Sequence, residues 1–164
     1  MRKFFKMVIL ILMVVLSLQQ VTFAAEKVQK PPKPTVGVEA SDPQYGTSAD
    51  IQVVFPQSVS GLLANWSCSI SNPSNRNLGI AGSSTANTIV DQMTLTLYLQ
   101  QWDGSKWVDI KSWTFNNSVT TYLSQGVNYS CQAGYYYRTR EFHAAKKGAQ
   151  TETQNSTSSY IYVG

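Results

Sequence analysis

Apolar and polar residues alternate most regularly between Gln92 and Phe115, where QMTLTLYLQQ and KWVDIKSWTF lie on either side of Asp103-Gly104. A period of two reads as strand, and Asp-Gly between two such runs is the strongest short-range signal of a β-hairpin. Pairing across Asp103-Gly104 sets Leu99 against Val108, Leu97 against Ile110, Leu95 against Ser112 and Met93 against Thr114. A four-residue loop shifts these partners but keeps the faces, because both registers preserve parity. One face is then apolar near the turn. The other carries Thr94, Thr96, Tyr98, Gln100, Trp107, Asp109, Lys111 and Trp113. A lone hairpin is marginal in water, so the apolar face calls for a second sheet to cover it.

The remaining pattern is also strand-like. Leu62 to Ile70 reads as a core strand closed by Asn72-Pro73-Ser74, and Asn77 to Gly82 as a short strand. A Ser/Thr/Asn-rich connection, residues 83–88, leads into the hairpin; Asn116-Asn117-Ser118 reads as a turn and Val119 to Leu123 as a short strand. Tyr129 to Ala144 and Gln154 to Val163 form a last long pair turning on Lys147-Gly148. About seven or eight strands without a helix predict an all-β fold, a two-sheet antiparallel sandwich, immunoglobulin-like in architecture.

The N-terminus sets the expected compartment. Arg2, Lys3 and Lys6 precede an apolar run from Met7 to Leu18, and small residues stand at Thr22, Ala24 and Ala25. This is the layout of a secretory signal peptide over residues 1–24, and the apolar run is well short of the roughly 20 residues that span a bilayer. Residues 25–50 read as a Pro/Lys-rich linker, a solvated tether, with a turn-forming lead-in, and residues 51–164 as a single domain. Without residues 1–24 the charge is 10 bases less 9 acids, or +1, since the leader holds three of the 13 bases and none of the acids. Such a chain lacks the concentrated basic face that a nucleic-acid partner requires. The expectation is an exported protein, secreted or held at the cell surface, with no membrane anchor after cleavage.

Two cysteines, Cys68 and Cys131, are present, and an oxidising environment favours their pairing. The bridge would close a loop of about 64 residues, worth on the order of 4 kcal/mol in the chain-entropy model. Their separation and the Tyr129-Ser130-Cys131 stretch fit an inter-sheet bridge with a tyrosine corner, although no tryptophan follows Cys68 at the distance that pattern needs. Two unpaired buried thiols are the other reading.

Catalytic chemistry finds little to stand on. The C-terminal turn sets His143 opposite Glu152, Glu141 opposite Gln154 and Arg140 opposite Asn155. A carboxylate-oriented imidazole is a general base, but a cross-strand pair that fixes register is the favoured reading of His143 with Glu152. His143 is the one histidine, and neither a Gly-x-Ser-x-Gly elbow nor a second carboxylate cluster accompanies it. No catalytic residue, no metal site and no cofactor is expected.

Two stretches together, DQMTLTLYLQQWDGSKWVDIKSWTF and GYYYRTREFHAAKKGAQTETQNSTSSYIYVG, resemble a family of small exported proteins of Gram-positive bacteria that has no assigned activity. The resemblance covers roughly residues 62–164; it implies a secreted all-β domain and transfers no catalytic residue. The candidate binding face is then Tyr98, Trp102, Trp107 and Trp113, aromatics able to stack on sugar rings or anchor a partner unless the linker or another subunit covers them. Tyr135, Tyr136, Tyr137, Arg138 and Arg140 form a second aromatic–basic band. The favoured function is a non-catalytic extracellular binding module for a glycan, a cell-wall polymer or a protein. The alternative is a structural protein that self-associates through sheet edges, with Ser158 to Val163 as donor or acceptor.

Overall fold

The computed structural model describes residues 30–51, 61–74 and 76–164, so the expected leader, residues 1–24, lies outside the described residues. Seven antiparallel strands and no helix make up the described chain: β1 Tyr45–Thr47, β2 Leu63–Ser74, β3 Asn77–Trp102, β4 Trp107–Ser130, β5 Tyr135–Lys147, β6 Gln150–Thr157 and β7 Ile161–Val163. The all-β class and the strand number agree with the alternation. The strands, however, form one hydrogen-bonded sheet in place of the two separate sheets of the expected sandwich.

The sheet is organised by β3, which is 26 residues long. Its partner β4 follows it from Asn77↔Ser130 to Trp102↔Trp107, while β2 and β5 share its other edge, β2 along residues 77–86 and β5 along residues 92–101. Between Thr85 and Val90 the register with β4 breaks, and on β4 Val119 takes φ +50°. At this bend the sheet curls, so that the limb carrying β1 and β2 faces the limb carrying β5 and β6. Leu63, Ile70, Leu78, Ile80, Met93, Leu95, Leu97 and Leu99 fill the space between the limbs.

The hairpin register differs from the expected one. Trp102 pairs with Trp107 around a four-residue loop, in which the Asp103 carboxylate accepts bonds from the Ser105 and Lys106 amides, both at 2.8 Å. Ile110 then bulges out, because Gln100 pairs with Asp109 and Leu99 with Lys111. One extra residue reverses the parity of all that follows on β4. Trp113 now faces Leu97 and Phe115 faces Leu95, on the core side, while Ser112 and Thr114 face outward. The regular register would have buried two hydroxyls and exposed two aromatics, which is why the bulge wins: each large apolar side chain moved out of water gains about 1.5–3 kcal/mol.

Two further expectations fail on geometry. The last hairpin turns on Gly148-Ala149, so His143 faces Gln154 and Glu152 faces Ala145; the His143–Glu152 pair does not form. Cys68 and Cys131 are free thiols. Cys68 pairs with Gly82 on one edge of β3, whereas the Cys131 amide bonds to the Arg76 carbonyl beyond the other edge. Six positions along β3, about 20 Å, and the width of a strand separate them. A disulfide needs Cα atoms within about 7 Å.

Candidate functional site

The interior between the limbs is polar at its centre. On β5 the inward positions Thr139, Glu141 and His143 are all fully buried. Imidazole Nδ1 lies 2.8 Å from Ser84 Oγ on β3 and Nε2 lies 2.7 Å from Ser156 Oγ on β6, a chain of hydrogen bonds linking the limbs. Glu141 lies against Gly82, where a Cβ would stand 1.6 Å from Oε2; a side chain there is excluded. Thr139 Oγ1 donates weakly to Glu141 Oε1 at 3.5 Å, and Oε2 has no partner among the described residues. Burial pushes the Glu141 carboxyl up to about 9 and the His143 imidazole down to about 4. Burial, then the Glu141 charge, pushes the Cys68 thiol up to about 12. All three are neutral near pH 7. Nucleophilic or acid–base work requires access for a substrate, and these side chains have none. Glu152, the expected partner of His143, instead accepts bonds from the Leu62 and Leu63 amides.

The outer face of the second limb carries the accessible chemistry. Tyr98, Trp102 and Trp107 share it, and Trp113 does not, because of the Ile110 bulge. Trp102 is 1% exposed beneath a cluster with Trp107, Tyr136, Tyr160 and Tyr162. Its ring centre is 5.4 Å from that of Trp107, which is 5.7 Å from Tyr160.

The Pro/Lys-rich segment does not stand free here; residues 30–40 lie across the cluster. Pro34 is buried, Trp107 Nε1 donates to the Val36 carbonyl at 2.8 Å, and Lys30 Nζ sits 4.2 Å from the Tyr162 ring centre. Gly37 passes so close that a Cβ would meet Arg138 Nη1 at 3.1 Å. Ala40 and Tyr160 join strap to body, with Ala40 N donating to Tyr160 O at 2.9 Å and Tyr160 N to Val38 O at 2.8 Å.

Beside the strap runs a charged array built by cross-strand register. Gln100 pairs with both Asp109 and Arg138, and Tyr98 pairs with Arg140. Arg138 Nε donates to Gln100 Oε1 at 2.7 Å, Gln100 Nε2 donates to Asp109 Oδ1 at 2.7 Å, and Arg140 Nη2 donates to Asp109 Oδ2 at 3.0 Å. The guanidinium of Arg140 lies 4.1 Å from the Tyr98 ring centre and that of Arg138 lies 4.4 Å from the Trp107 ring. Burial, then Arg140, lowers Arg138 to about 10, which leaves it charged at neutral pH. Next to this array Tyr98, Asp109, Ile110, Lys111 and Ser112 line a shallow depression of about 360 Å³. A second hollow of about 350 Å³, lined in part by Gln101, Tyr129, Cys131 and Tyr137, lies on the other side of the bulge.

Sequence reasoning placed Tyr98, Gln100, Asp109 and the arginines on strands, but did not bring them together. It missed the Cys68, Ser84, Glu141 and Ser156 cluster altogether. The signal available was the parity of β5, where Tyr135, Tyr137, Thr139, Glu141, His143 and Ala145 occupy alternate positions. Among the described residues no group of three His, Cys, Asp or Glu is arranged to hold a metal, and no helix is long and apolar enough to cross a membrane. No family model, curated protein or solved structure matches the chain, so its functional reading rests on its own residues.

Proposed function

We propose that the protein is a non-catalytic extracellular recognition module that binds an anionic, polyhydroxylated polymer on the outer face of its second limb. The observation that carries this reading is the division of its chemistry. The His143 imidazole, the Cys68 thiol and the Glu141 carboxyl are sealed inside and neutral, while the accessible depression is bordered by Tyr98, Arg140, Lys111 and Ser112. Arg138, Arg140 and Lys111 against Asp109 leave two positive charges in excess on this patch, which favours negative ligands. Guanidinium groups bind carboxylate or phosphate in two-pronged fashion, tyrosine offers a flat surface to a sugar ring, and Ser112 adds a hydroxyl. Export through the N-terminal leader brings such a module to acidic glycans or cell-wall polymers.

The test is a titration of the protein with purified anionic wall polymers and acidic glycans, followed by tryptophan fluorescence, since Trp107 lies under Arg138 beside the patch. Saturable binding that weakens with salt and drops about tenfold in both Tyr98→Ala and Arg140→Ala is expected, with charge-assisted contacts worth ~1.5–3 kcal/mol. Trp113→Ala should bind as the parent does. Binding that is indifferent to Tyr98 and Arg140 overturns the assignment.

A further inference from the structure

Among the described residues, the free edge of β4 is the longest. Its 24 residues bond to β3 on one side, and among the described residues no strand pairs with the other side. Unpaired edges invite pairing with another strand, and proteins blunt them with short length, charge, proline or bulges. Over its whole length β4 carries one acid, Asp109, one base, Lys111, and no proline. Its two irregularities, the bulge at Ile110 and the left-handed Val119, lie at the ends of a regular run in which Lys111 to Ser118 pair residue by residue with Leu99 to Gln92. Elsewhere β1 and β7 have three residues each, and the backbone at Leu62 and Leu63 bonds to the Glu152 side chain of β6.

We infer that this run pairs with the same run of a second copy, antiparallel about a two-fold axis through Thr114. Facing residues of an antiparallel pair share a face, so the register must preserve parity. Centring on Thr114 does so and is self-complementary. It sets Trp113 against the partner's Phe115 on the inner face and Ser112 against the partner's Asn116 on the outer face. Trp113 and Phe115 are only partly buried within one chain, and a neighbouring strand covers them further. On the outer face the hydroxyl and amide rows of Thr96–Thr114, at 3.0 Å, and Thr94–Asn116, at 2.6 Å, continue into the partner.

Charge selects the orientation. Antiparallel pairing keeps the two Lys111 side chains about 20 Å apart, whereas in-register parallel pairing would hold them at about 4.8 Å. The bulge at Ile110 meets the partner's Ser118, so the irregularities that bound the run also bound the interface. Such a two-fold contact closes on itself and gives dimers rather than fibres. The interface adjoins the ligand site, because Lys111 and Ser112 belong both to this run and to the depression. Thr114 does not line the depression, so substitutions there test the pairing separately.

The experiment is sedimentation of the protein, produced from the full chain and kept reduced so that Cys131 forms no bridge, from micromolar to millimolar concentration. The parent should shift from monomer to dimer. Thr114→Lys and Thr114→Glu each place like charges together at the axis, and each should weaken the dimer about tenfold or more. An equimolar mixture of the two should recover it, a result that misfolded variants could not give. A parent that stays monomeric, a Thr114→Lys variant that dimerises like the parent, or a mixture that stays monomeric overturns the inference.

Discussion

Glu141 and His143 sit two positions apart on one strand and respond to pH in opposite senses. The Glu141 carboxyl is held up at about 9 in the folded protein, against an ordinary 4.5, by burial. Between those values the unfolded chain releases a proton that the folded one keeps, so stability falls as pH rises, by up to about 1.4 kcal/mol per pH unit. The His143 imidazole is held down at about 4 against 6.5, again by burial. Below 6.5 the unfolded chain takes up a proton that the folded one refuses, so stability falls as pH drops. From about 4.5 to 6.5 the two slopes cancel, and stability declines on either side of that plateau. Other groups add to the limbs: Asp50, lowered by its bond from Ser159, contributes on the acid side, and Cys68 contributes above pH 9. The diagnostic is therefore a difference. Urea unfolding of Glu141→Gln between pH 7 and 9 should show the alkaline slope of the parent largely removed, and an unchanged slope would mean that the carboxyl ionises freely in the fold.

At the scale of one strand, the turn of the β3–β4 hairpin was legible, while its far ends and the faces of β4 were not: Asn116-Asn117-Ser118 reads as a turn yet lies within β4. Asp103 and the alternation from Met93 to Leu99 gave the turn and the inner side of β3. The bulge carries no local marker at Ile110, which is an ordinary strand residue, and shows only as a conflict: a regular register exposes Trp113 and Phe115 while burying Ser112 and Thr114. Weighing burial against regularity would have found it. The consequence is measurable. Trp113, packed against Tyr129 with ring centres 6.0 Å apart and opposite Leu97, should cost about 2 kcal/mol on truncation to alanine. Ser112→Ala, on the exposed face, should stay within about 0.5 kcal/mol in the same denaturant series. The reverse ranking would restore the regular hairpin. The candidate site depends on the same bulge, because Ile110 and Lys111 line the depression beside Tyr98.

For the whole molecule, alternation announced an all-β chain but not how the sheet closes. Residues 83–88 read as a connection because they are polar, yet they belong to β3; Ser84 faces inward to bond His143, so a polar interior inverts the usual signal for which side is buried. The two cysteines suggested a bridge between sheets that do not exist as separate layers. The Lys/Pro composition of residues 30–35 likewise spoke for a solvated tether, while the Trp and Tyr rings that hold the segment are scattered over β3, β4, β5 and the C-terminus. Gly37 is the point at which this strap can be tested. Its φ is +101° and a side chain there would press on Arg138, so Gly37→Val is strained both in backbone and in space. The strap should lift while the sheet, whose core lies elsewhere, keeps its far-ultraviolet signal. Trp107 would then lose its bond to the Val36 carbonyl, and its emission should shift to the red and become easier to quench with iodide. The amides of Ala40 and Tyr160, which bond across the strap, should exchange faster with deuterium. Parent-like emission and exchange in Gly37→Val would mean that the strap holds without the close approach at Gly37. A strap that does lift uncovers Arg138 and Trp107 together, and binding of an anionic polymer should then tighten in this variant relative to the parent.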